Sequence, residues 1–179
     1  KARGNVTVLR WADDFVVGFE SRWDAEQFLV GLKERFLKVA LELHPQKTRL
    51  IEFGPYADKN RRRRGQGKPE TFNFLGFTHI CGRTRSNGMF TVIRHTIKKR
   101  LRAKLAEVKT ELRRRMHDTV PEVGTWLRSV LVGHYRYYGV PTNSQALNAF
   151  NHWVGRLWHR TLVRRSQKTR ITWERMHRL

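Results

Sequence analysis

The sequence predicts an α+β protein, in which a mixed amino-terminal part is followed by an all-helical part from about residue 95. Short apolar segments bounded by Gly, Pro and Asn-Gly turns indicate β-strands before that point. Beyond it, apolar residues recur at the 3.6-residue spacing of helices, among many Lys and Arg. The apolar fraction of 39% suffices for a hydrophobic core. We therefore expect two domains, 1–94 and 95–179.

A hairpin and a helix are expected first. Residues 6–11 and 15–19 are apolar segments with a short connection, which predicts two strands joined by a tight turn. Ser21-Arg22-Trp23-Asp24 has the form of a capping box and opens a helix. Apolar side chains then follow at helical spacing to about Ala40, namely Phe28, Leu32, Phe36 and Val39.

Three more strands and a loop complete the mixed part. Residues 48–53 are predicted to form a strand, and residues 54–69 a loop that holds an arginine run at 61–64. Residues 71–80 form the next apolar strand. Residues 89–94 are expected to pair with it, because Asn87-Gly88 between apolar segments favours a hairpin.

Helices account for the remainder. An apolar stripe predicts the first helix, from residue 95 to about His117, and consists of Ile97, Leu101, Leu105, Val108 and Leu112. The second covers 121–138. A third, capped by Ser144, covers 144–164, and either Thr169 or Thr172 opens a fourth.

The charge predicts a polyanionic partner. Lys and Arg number 37 against 15 Asp and Glu, for a formal net charge of +22. Of these, 22 cations but only 5 acids follow residue 82. Such an excess is typical of proteins that bind nucleic acid. No stretch is apolar and long enough for a membrane span. The single Cys81 suits a reducing compartment. We expect a location in the bacterial cytoplasm or at the nucleoid, or in an organelle if the source is eukaryotic. The chain lacks an initiator Met, so we expect it to be part of a longer protein.

Asp13 and Asp14 are the most informative residues. They lie in the connection of the first predicted hairpin, where adjacent carboxylates repel each other. A hard divalent cation such as Mg²⁺ relieves that repulsion. Two-metal sites use such carboxylates for in-line attack on a phosphorus centre. A solvated Asp-Asp turn is the alternative for the dipeptide considered alone.

Several motifs, taken in order, resemble a known family. The aromatic-Ala-Asp-Asp hairpin at 11–14 is followed by a helix, by Leu-Glu-Leu-His-Pro-Gln-Lys-Thr-Arg at 41–49, and by Phe-Asn-Phe-Leu-Gly-Phe at 72–77. This order resembles the reverse transcriptases of group II introns. The tail resembles the maturase (thumb) domain of the same proteins, at Trp126-Leu127, Gly133-His134-Tyr135, residues 138–143 and Arg165-Ser166-Gln167-Lys168. The resemblance, which runs from about residue 6 to the end, implies part of a polymerase palm followed by a thumb of three to four helices.

The resemblance also implies roles for residues of the palm. Asp13 would ligate Mg²⁺ directly, and Asp14 would be a secondary ligand. Trp11 stands where the family usually has Tyr; its flat face could stack on the primer end or the incoming nucleotide, but the phenol hydroxyl is lost. Lys47 falls where a family lysine lies near the nucleotide phosphates and would donate a proton to pyrophosphate. A surface lysine near a turn is an equally weighted alternative.

Four residues, Phe74, Leu75, Gly76 and Phe77, match the family's primer-grip segment. There a glycine allows the backbone to approach the primer strand closely. An ordinary core strand is the alternative, because Phe72, Phe74 and Gly76 alternate along the segment.

The cations expected to contact RNA phosphates lie in the arginine run and near the ends of the long helices. They are Arg61, Arg62, Arg63, Arg64, Lys98, Lys99, Arg113, Arg114, Arg115, Arg164, Arg165 and Lys168. For the arginine run, a solvated or disordered loop is the alternative. Most Trp residues of the helical part, which include Trp126, Trp153 and Trp158, are assigned to the core, and His134 is expected to be a core or interface histidine.

The implied function is RNA-directed DNA synthesis, with an RNA template, a DNA primer and deoxynucleoside triphosphates as partners. Maturase binding of a group II intron RNA is the second implied activity. The alternative is a non-catalytic RNA-binding maturase module; a reverse transcriptase outside introns and a ribosomal-type protein rank lower. The family's finger segments and its earlier palm carboxylate have no counterpart here. We therefore expect the chain alone to be inactive, with a palm edge that self-associates or pairs with the missing half.

Overall fold

A computed structural model describes residues 2–165 and 171–176. Strands and helices are mixed along these ranges, which confirms the α+β class. Two strands, β1 (Val6–Trp11) and β2 (Asp14–Phe19), form an antiparallel hairpin. A second sheet has the order β3 (Phe72–Phe74), β4 (Phe77–Arg83) and β5 (Phe90–Thr96). The helices are α1 (Arg22–Leu37), α2 (Ala57–Arg63), α3 (Lys98–Arg114), α4 (Val120–Tyr138), α5 (Ser144–Arg165) and α6 (Trp173–Met176).

The chain divides into two compact units. The mixed unit consists of Lys1–Phe74 and Ile80–Val92, and the helical unit of Leu75–His79 and Ile93–Leu179. No helix among the described residues is both long and apolar enough to cross a membrane.

The start of α1 is where the sequence predicts it, but its capping box does not form. Ser21 occupies the N-cap position without a side-chain hydrogen bond to the helix. The Asp24 carboxylate instead accepts a hydrogen bond from the backbone N–H of Arg3, at 3.1 Å. The helix ends at Leu37, earlier than Ala40, where the backbone takes a positive φ of 53° that a helix does not tolerate.

Three predictions for the middle of the chain are wrong. Residues 48–53 form no strand, because they have no strand beside them to pair with in the described chain. Most of the arginine run is helical, since α2 is stabilised by an Asp58–Arg62 pair four residues apart. The expected strand 71–80 is broken into β3 and β4, because Leu75 and Gly76 both have a positive φ and turn the chain.

The strand-to-strand turn and the long helices agree with the sequence. Gly88, with a φ of 69°, closes the turn between β4 and β5 that Asn87-Gly88 predicts. The apolar stripe of α3 contributes Val108 and Leu112 to the core. Their partners in the core are Val123 and Leu127 of α4 and Phe150 and Val154 of α5.

Hydrogen bonds at the helix ends fix the direction of the three long helices. Asn143, directly before α5, binds Thr96, the last residue of β5 and two residues before α3. At the other end, Arg165 of α5 donates to the backbone carbonyl of Arg115, which follows α3, at 3.1 Å. The helices α3 and α5 are therefore parallel, and α4, which connects them, runs in the opposite direction.

Capping residues mark the starts of α4 and α6, and the predicted cap of α5 is displaced by one residue. Thr119 and Glu122 form a complete capping box at α4. Ser144 is the first residue of α5 and not its cap, because the carbonyl of Asn143 accepts from Ala146 and Leu147. The hydroxyl of Thr172 accepts from the N–H of Arg175 at the start of α6, as predicted. Thr169 lies outside the described residues.

We expect acid to weaken the helical unit partly through Glu111. Hydrogen bonds from Arg114 and Arg115 lower the pKa of its carboxyl to about 2, against the ordinary effect of desolvation. A carboxyl whose pKa falls on folding stabilises the protein above its unfolded pKa, and that contribution disappears as the pH drops from about 4.3 towards 2. Melting temperatures measured by circular dichroism across this range should fall less for Glu111→Gln than for the unaltered chain. Curves of melting temperature against pH that run parallel for the two proteins would contradict the expectation.

Candidate nucleic-acid interface

The Asp pair lies at the exposed tip of the first hairpin. Trp11 and Asp14 face each other across the last pair of the ladder, so Ala12 and Asp13 form the connection. Strand β2 thus begins one residue earlier than predicted, and Asp14 belongs to it. Ala12 has a φ of 53°, which strains a residue with a Cβ. Such strain is common at functional turns.

Both carboxylates are exposed and available to a cation. Neither the Asp13 nor the Asp14 side chain makes a hydrogen bond or ion pair to another described residue. The pair supplies two oxygen ligands of the kind that Mg²⁺ prefers. Nowhere in the described chain do three His, Cys, Asp or Glu side chains group into a metal site. A complete two-metal centre would therefore need a ligand beyond these two residues.

Trp11 and Lys47 are both open to solvent. The Trp11 side chain is 67% exposed and shares a face of the hairpin with Asp14. A flat ring beside a carboxylate is suited to stacking on a base or sugar. Lys47 lies in a turn in which its backbone N–H donates to the carbonyl of His44, at 3.1 Å. Its exposed side chain fits both interpretations, the phosphate-side proton donor and the ordinary surface lysine.

The predicted grip segment forms a tight turn whose backbone is held by the helical unit. Leu75 and Gly76 have φ values of 46° and 81°. The Tyr137 hydroxyl donates to the carbonyl of Leu75 at 3.2 Å, and the Ile97 N–H donates to that of Gly76 at 3.1 Å. A bulky residue at positive φ is uncommon, so these contacts hold the Leu75–Gly76 turn in a shape that it would not adopt alone.

Glycine is required in this turn for space as well as for φ. A Cβ added at Gly76 would lie 3.2 Å from the Tyr138 hydroxyl and 3.4 Å from Nη1 of Arg100. Phe77, the next residue, is buried against the ring of Tyr138 at 5.3 Å between centroids. The turn is thus packed against aromatic and basic side chains, which the sequence alone does not indicate.

A groove of about 500 Å³ between α3 and α4 adjoins this turn. Arg100, Tyr137 and Tyr138 belong to both features. His134 lines the groove and belongs to the core as predicted, because it is buried and stacks on Phe150 at 3.7 Å. Burial, and secondarily Lys104, lower the pKa of His134. The neutral imidazole is therefore the form that this site favours.

Most of the arginine run is used within the mixed unit. Arg61 donates to the carbonyl of Gly67 and lies 3.7 Å from Glu70. Arg62 pairs with Asp58 and Arg64 with Glu52. Of the four, only the Arg63 side chain makes no hydrogen bond or ion pair to the described residues. Its guanidinium is therefore the one that is not already engaged.

The helical cations also differ in how they are used. Lys98 and Lys99 are exposed in the first turn of α3, where the helix dipole disfavours positive charge. Arg114 and Arg115 bind Glu111. Lys168 lies outside the described residues. The remaining members of the predicted set are Arg113 and Arg164, which make no ion pair in the described chain, and Arg165, which donates to the carbonyl of Arg115.

The assignment of most Trp residues of the helical part to the core is confirmed for Trp126 and Trp158, which pack against it. Trp153 is exposed instead, and so is Trp173. The guanidinium of Arg156 lies over the Trp153 ring, 5.6 Å from the ring centroid. Helical spacing alone does not distinguish these exposed rings from the packed ones.

Comparison with known proteins identifies no family. No family model matches the chain, and no curated protein matches it.

Proposed function

We propose that this chain is the carboxyl-terminal palm and the thumb of a group II intron reverse transcriptase, an RNA-directed DNA polymerase that also acts as a maturase. One observation carries the proposal. The exposed Asp13–Asp14 hairpin tip is followed along the chain by the Leu75–Gly76 turn, which is set into a strongly basic helical unit. These features occur in the order that the family's motifs require.

In this proposal each site residue has a defined task. Asp13 and Asp14 would hold Mg²⁺, and two-metal chemistry would supply activation of the primer 3′-hydroxyl by one ion and stabilisation of the pyrophosphate leaving group by the other. Trp11 presents its ring to the primer end or the nucleotide. Lys47 donates a proton to pyrophosphate as it leaves. The Leu75–Gly76 turn positions the primer strand, and the basic helices bind the RNA through its phosphates.

The first hairpin supports the view that the complete palm is larger. Both of its faces carry exposed apolar side chains: Val8 on one face is 62% exposed, and Leu9 on the other is 55% exposed. Apolar patches of this kind mark surfaces that other elements cover. In the proposal, further palm segments cover them and supply the remaining metal ligand, so this chain alone does not polymerise.

A second candidate is a non-catalytic RNA-binding maturase module. It is favoured by the uneven charge, because 22 of the 37 cations but only 5 of the 15 acids follow residue 82. Clamping an intron RNA needs affinity and shape recognition and no protein chemistry. In this candidate the Asp pair is a plain turn.

Primer extension separates the two candidates. With Mg²⁺, an RNA template and a DNA primer, the complete parent protein should extend the primer, and Asp13→Asn should reduce extension by at least about 10³-fold, since it removes a metal ligand. RNA binding by the same variant should be unchanged. The 179-residue chain should bind RNA with strong salt dependence but extend nothing.

Each outcome has a definite meaning. Extension by a parent protein that is insensitive to Asp13→Asn would overturn the assignment of the metal site. A parent that binds RNA but never extends would favour the maturase module. RNA affinity that does not change between low and physiological salt would contradict both candidates.

A further inference from the structure

We propose that a cleft between the carboxyl-terminal parts of α3 and α5 binds consecutive phosphates of a single RNA strand. The inference rests on the RNA-binding function proposed above and assigns it a specific site. The cleft has a volume of about 470 Å³, within the usual range of ligand sites. Four cations line it: Lys109 and Arg113 from α3, and Arg160 and Arg164 from α5. We call it the α3–α5 cleft.

The helix geometry sets the four charges in a regular array. Lys109 and Arg113 are four residues apart on one helix, and so are Arg160 and Arg164 on the other. Residues at this spacing lie on the same helix face, about 6 Å apart along the axis. Because α3 and α5 are parallel and in contact, the two pairs face one cleft from opposite walls. This spacing resembles that of neighbouring phosphates along a strand.

No acid neutralises this array. Four of the five carboxylates in the helical unit are used elsewhere: Glu107 by Lys104, Glu111 and Asp118 by Arg115, and Glu122 by the cap of α4. The fifth, Glu174, does not line the cleft. Helix α5 contains no acid. As a result, none of the four cleft side chains makes an ion pair or hydrogen bond to any described residue.

Stability of the fold does not account for the array. A cation near a helix carboxyl terminus is favourable, and Arg165 already supplies one by donating to the Arg115 carbonyl. Like charges four residues apart on a helix are unfavourable. The cleft holds two such pairs, which face each other across it, so the unbound state carries a repulsion that an anion would remove.

The rest of the lining suits a nucleotide strand better than a free anion. Met116, Leu157 and Val163 supply apolar surface, against which a sugar or base can lie. His159 also lines the cleft; its Nε2 lies 2.8 Å from the carbonyl of Ile171, and its ring stacks on Trp173 at 4.4 Å. Charged walls with apolar and aromatic surface between them are typical of single-strand binding sites.

The test compares two variants that remove the same charge. The cleft variant carries Lys109→Gln, Arg113→Gln, Arg160→Gln and Arg164→Gln. The control variant carries Lys33→Gln, Arg102→Gln, Arg128→Gln and Arg136→Gln, which are exposed residues outside the cleft. Fluorescence anisotropy of a labelled oligouridine is measured with the full 179-residue chain over a range of KCl concentrations. Thermal melting without RNA is recorded for all three proteins.

Losing four phosphate contacts should make the slope of log affinity against log salt shallower by about 3 and weaken binding at low salt by on the order of 10²-fold. The control variant should bind within about threefold of the unaltered chain, with a slope change below about 1. Without RNA, the cleft variant should melt no lower than the unaltered chain, because its like-charge pairs are gone.

Three results would overturn the inference or its basis. Equal losses of oligouridine affinity in both variants would mean that the positive charge attracts RNA diffusely and that the cleft is not a specific site. The proposed RNA-binding function would not be contradicted by that result. A lower melting temperature for the cleft variant would make the four cations structural. Failure of the unaltered chain to bind oligouridine at low salt would instead remove the proposed RNA-binding function on which the inference rests.

Discussion

We expect Asn143→Ala to lower the free energy of unfolding of the helical unit by about 3–5 kcal/mol, because it leaves several buried polar groups unpaired. The Asn143 side chain is fully buried. Its Oδ1 accepts from the backbone N–H of Thr96 at 2.9 Å and from the Thr96 hydroxyl at 3.2 Å. Its Nδ2 donates to that hydroxyl at 2.8 Å and to the carbonyl of Tyr138 at 2.9 Å. One amide thus joins the starts of α3 and α5 to the end of α4.

Urea unfolding followed by circular dichroism gives the measurement. Asn143→Asp keeps the shape and the acceptor but replaces the amide donor, so it places an oxygen against the Tyr138 carbonyl. We expect it to destabilise about as much as Asn143→Ala. Asn148→Ala, at an exposed position of α5, should change stability by less than about 0.5 kcal/mol. If both Asn143 variants lower the free energy of unfolding by less than about 1 kcal/mol, the hydrogen bonds of Asn143 contribute little to stability.

The second large effect is expected at Gly76. Substitution by Ala imposes left-handed strain of about 1–2 kcal/mol on a residue with a φ of 81°. The new Cβ also presses on Tyr138 and Arg100, at 3.2 and 3.4 Å, which adds about 1–3 kcal/mol. We therefore expect the free energy of unfolding to fall by about 2–5 kcal/mol in total and, in the proposed function, weaker binding of an RNA–DNA primer–template duplex.

Gly88 offers a matched control. Its φ of 69° imposes similar strain on Ala, but no other atom lies within 4 Å of the new Cβ. Gly88→Ala should therefore lower the free energy of unfolding only by the backbone strain of about 1–2 kcal/mol. It should bind the duplex as the unaltered chain does. Equal unfolding free energies and equal duplex affinities for the two variants would contradict a close approach at Gly76. Tyr137→Phe, which removes the bond to the Leu75 carbonyl, should reproduce part of the Gly76→Ala effect.

Sequence reasoning was reliable where structure depends on neighbours along the chain. The hairpin at the Asp pair, the turn at Asn87-Gly88 and the long helices α3, α4 and α5 follow from periodicity and turn chemistry, which act over a few residues. The same reasoning failed at residues 48–53, because an apolar segment becomes a strand only when another strand pairs with it.

For the candidate site, the sequence located the groups but not their surroundings. The sequence places the Asp pair in the first hairpin and indicates the glycine of the grip segment, but it does not indicate the contacts of Gly76 with Tyr138 and Arg100. It also does not single out Lys109 and Arg160 of the α3–α5 cleft, since a helical cation looks the same in sequence whether it is paired or not. Only the positions of the five nearby acids reveal the difference.

By itself, then, the sequence determined the α+β class, the order of the main elements and a charge distribution suited to nucleic acid. The tertiary structure decided which apolar rings are covered, which arginines are paired and how the helix ends are joined. These features depend on pairs far apart in the chain, such as Thr96 with Asn143 and Arg115 with Arg165. Local patterns carry no information about such pairs, because the energy of each contact exists only once the chain has brought its two partners together.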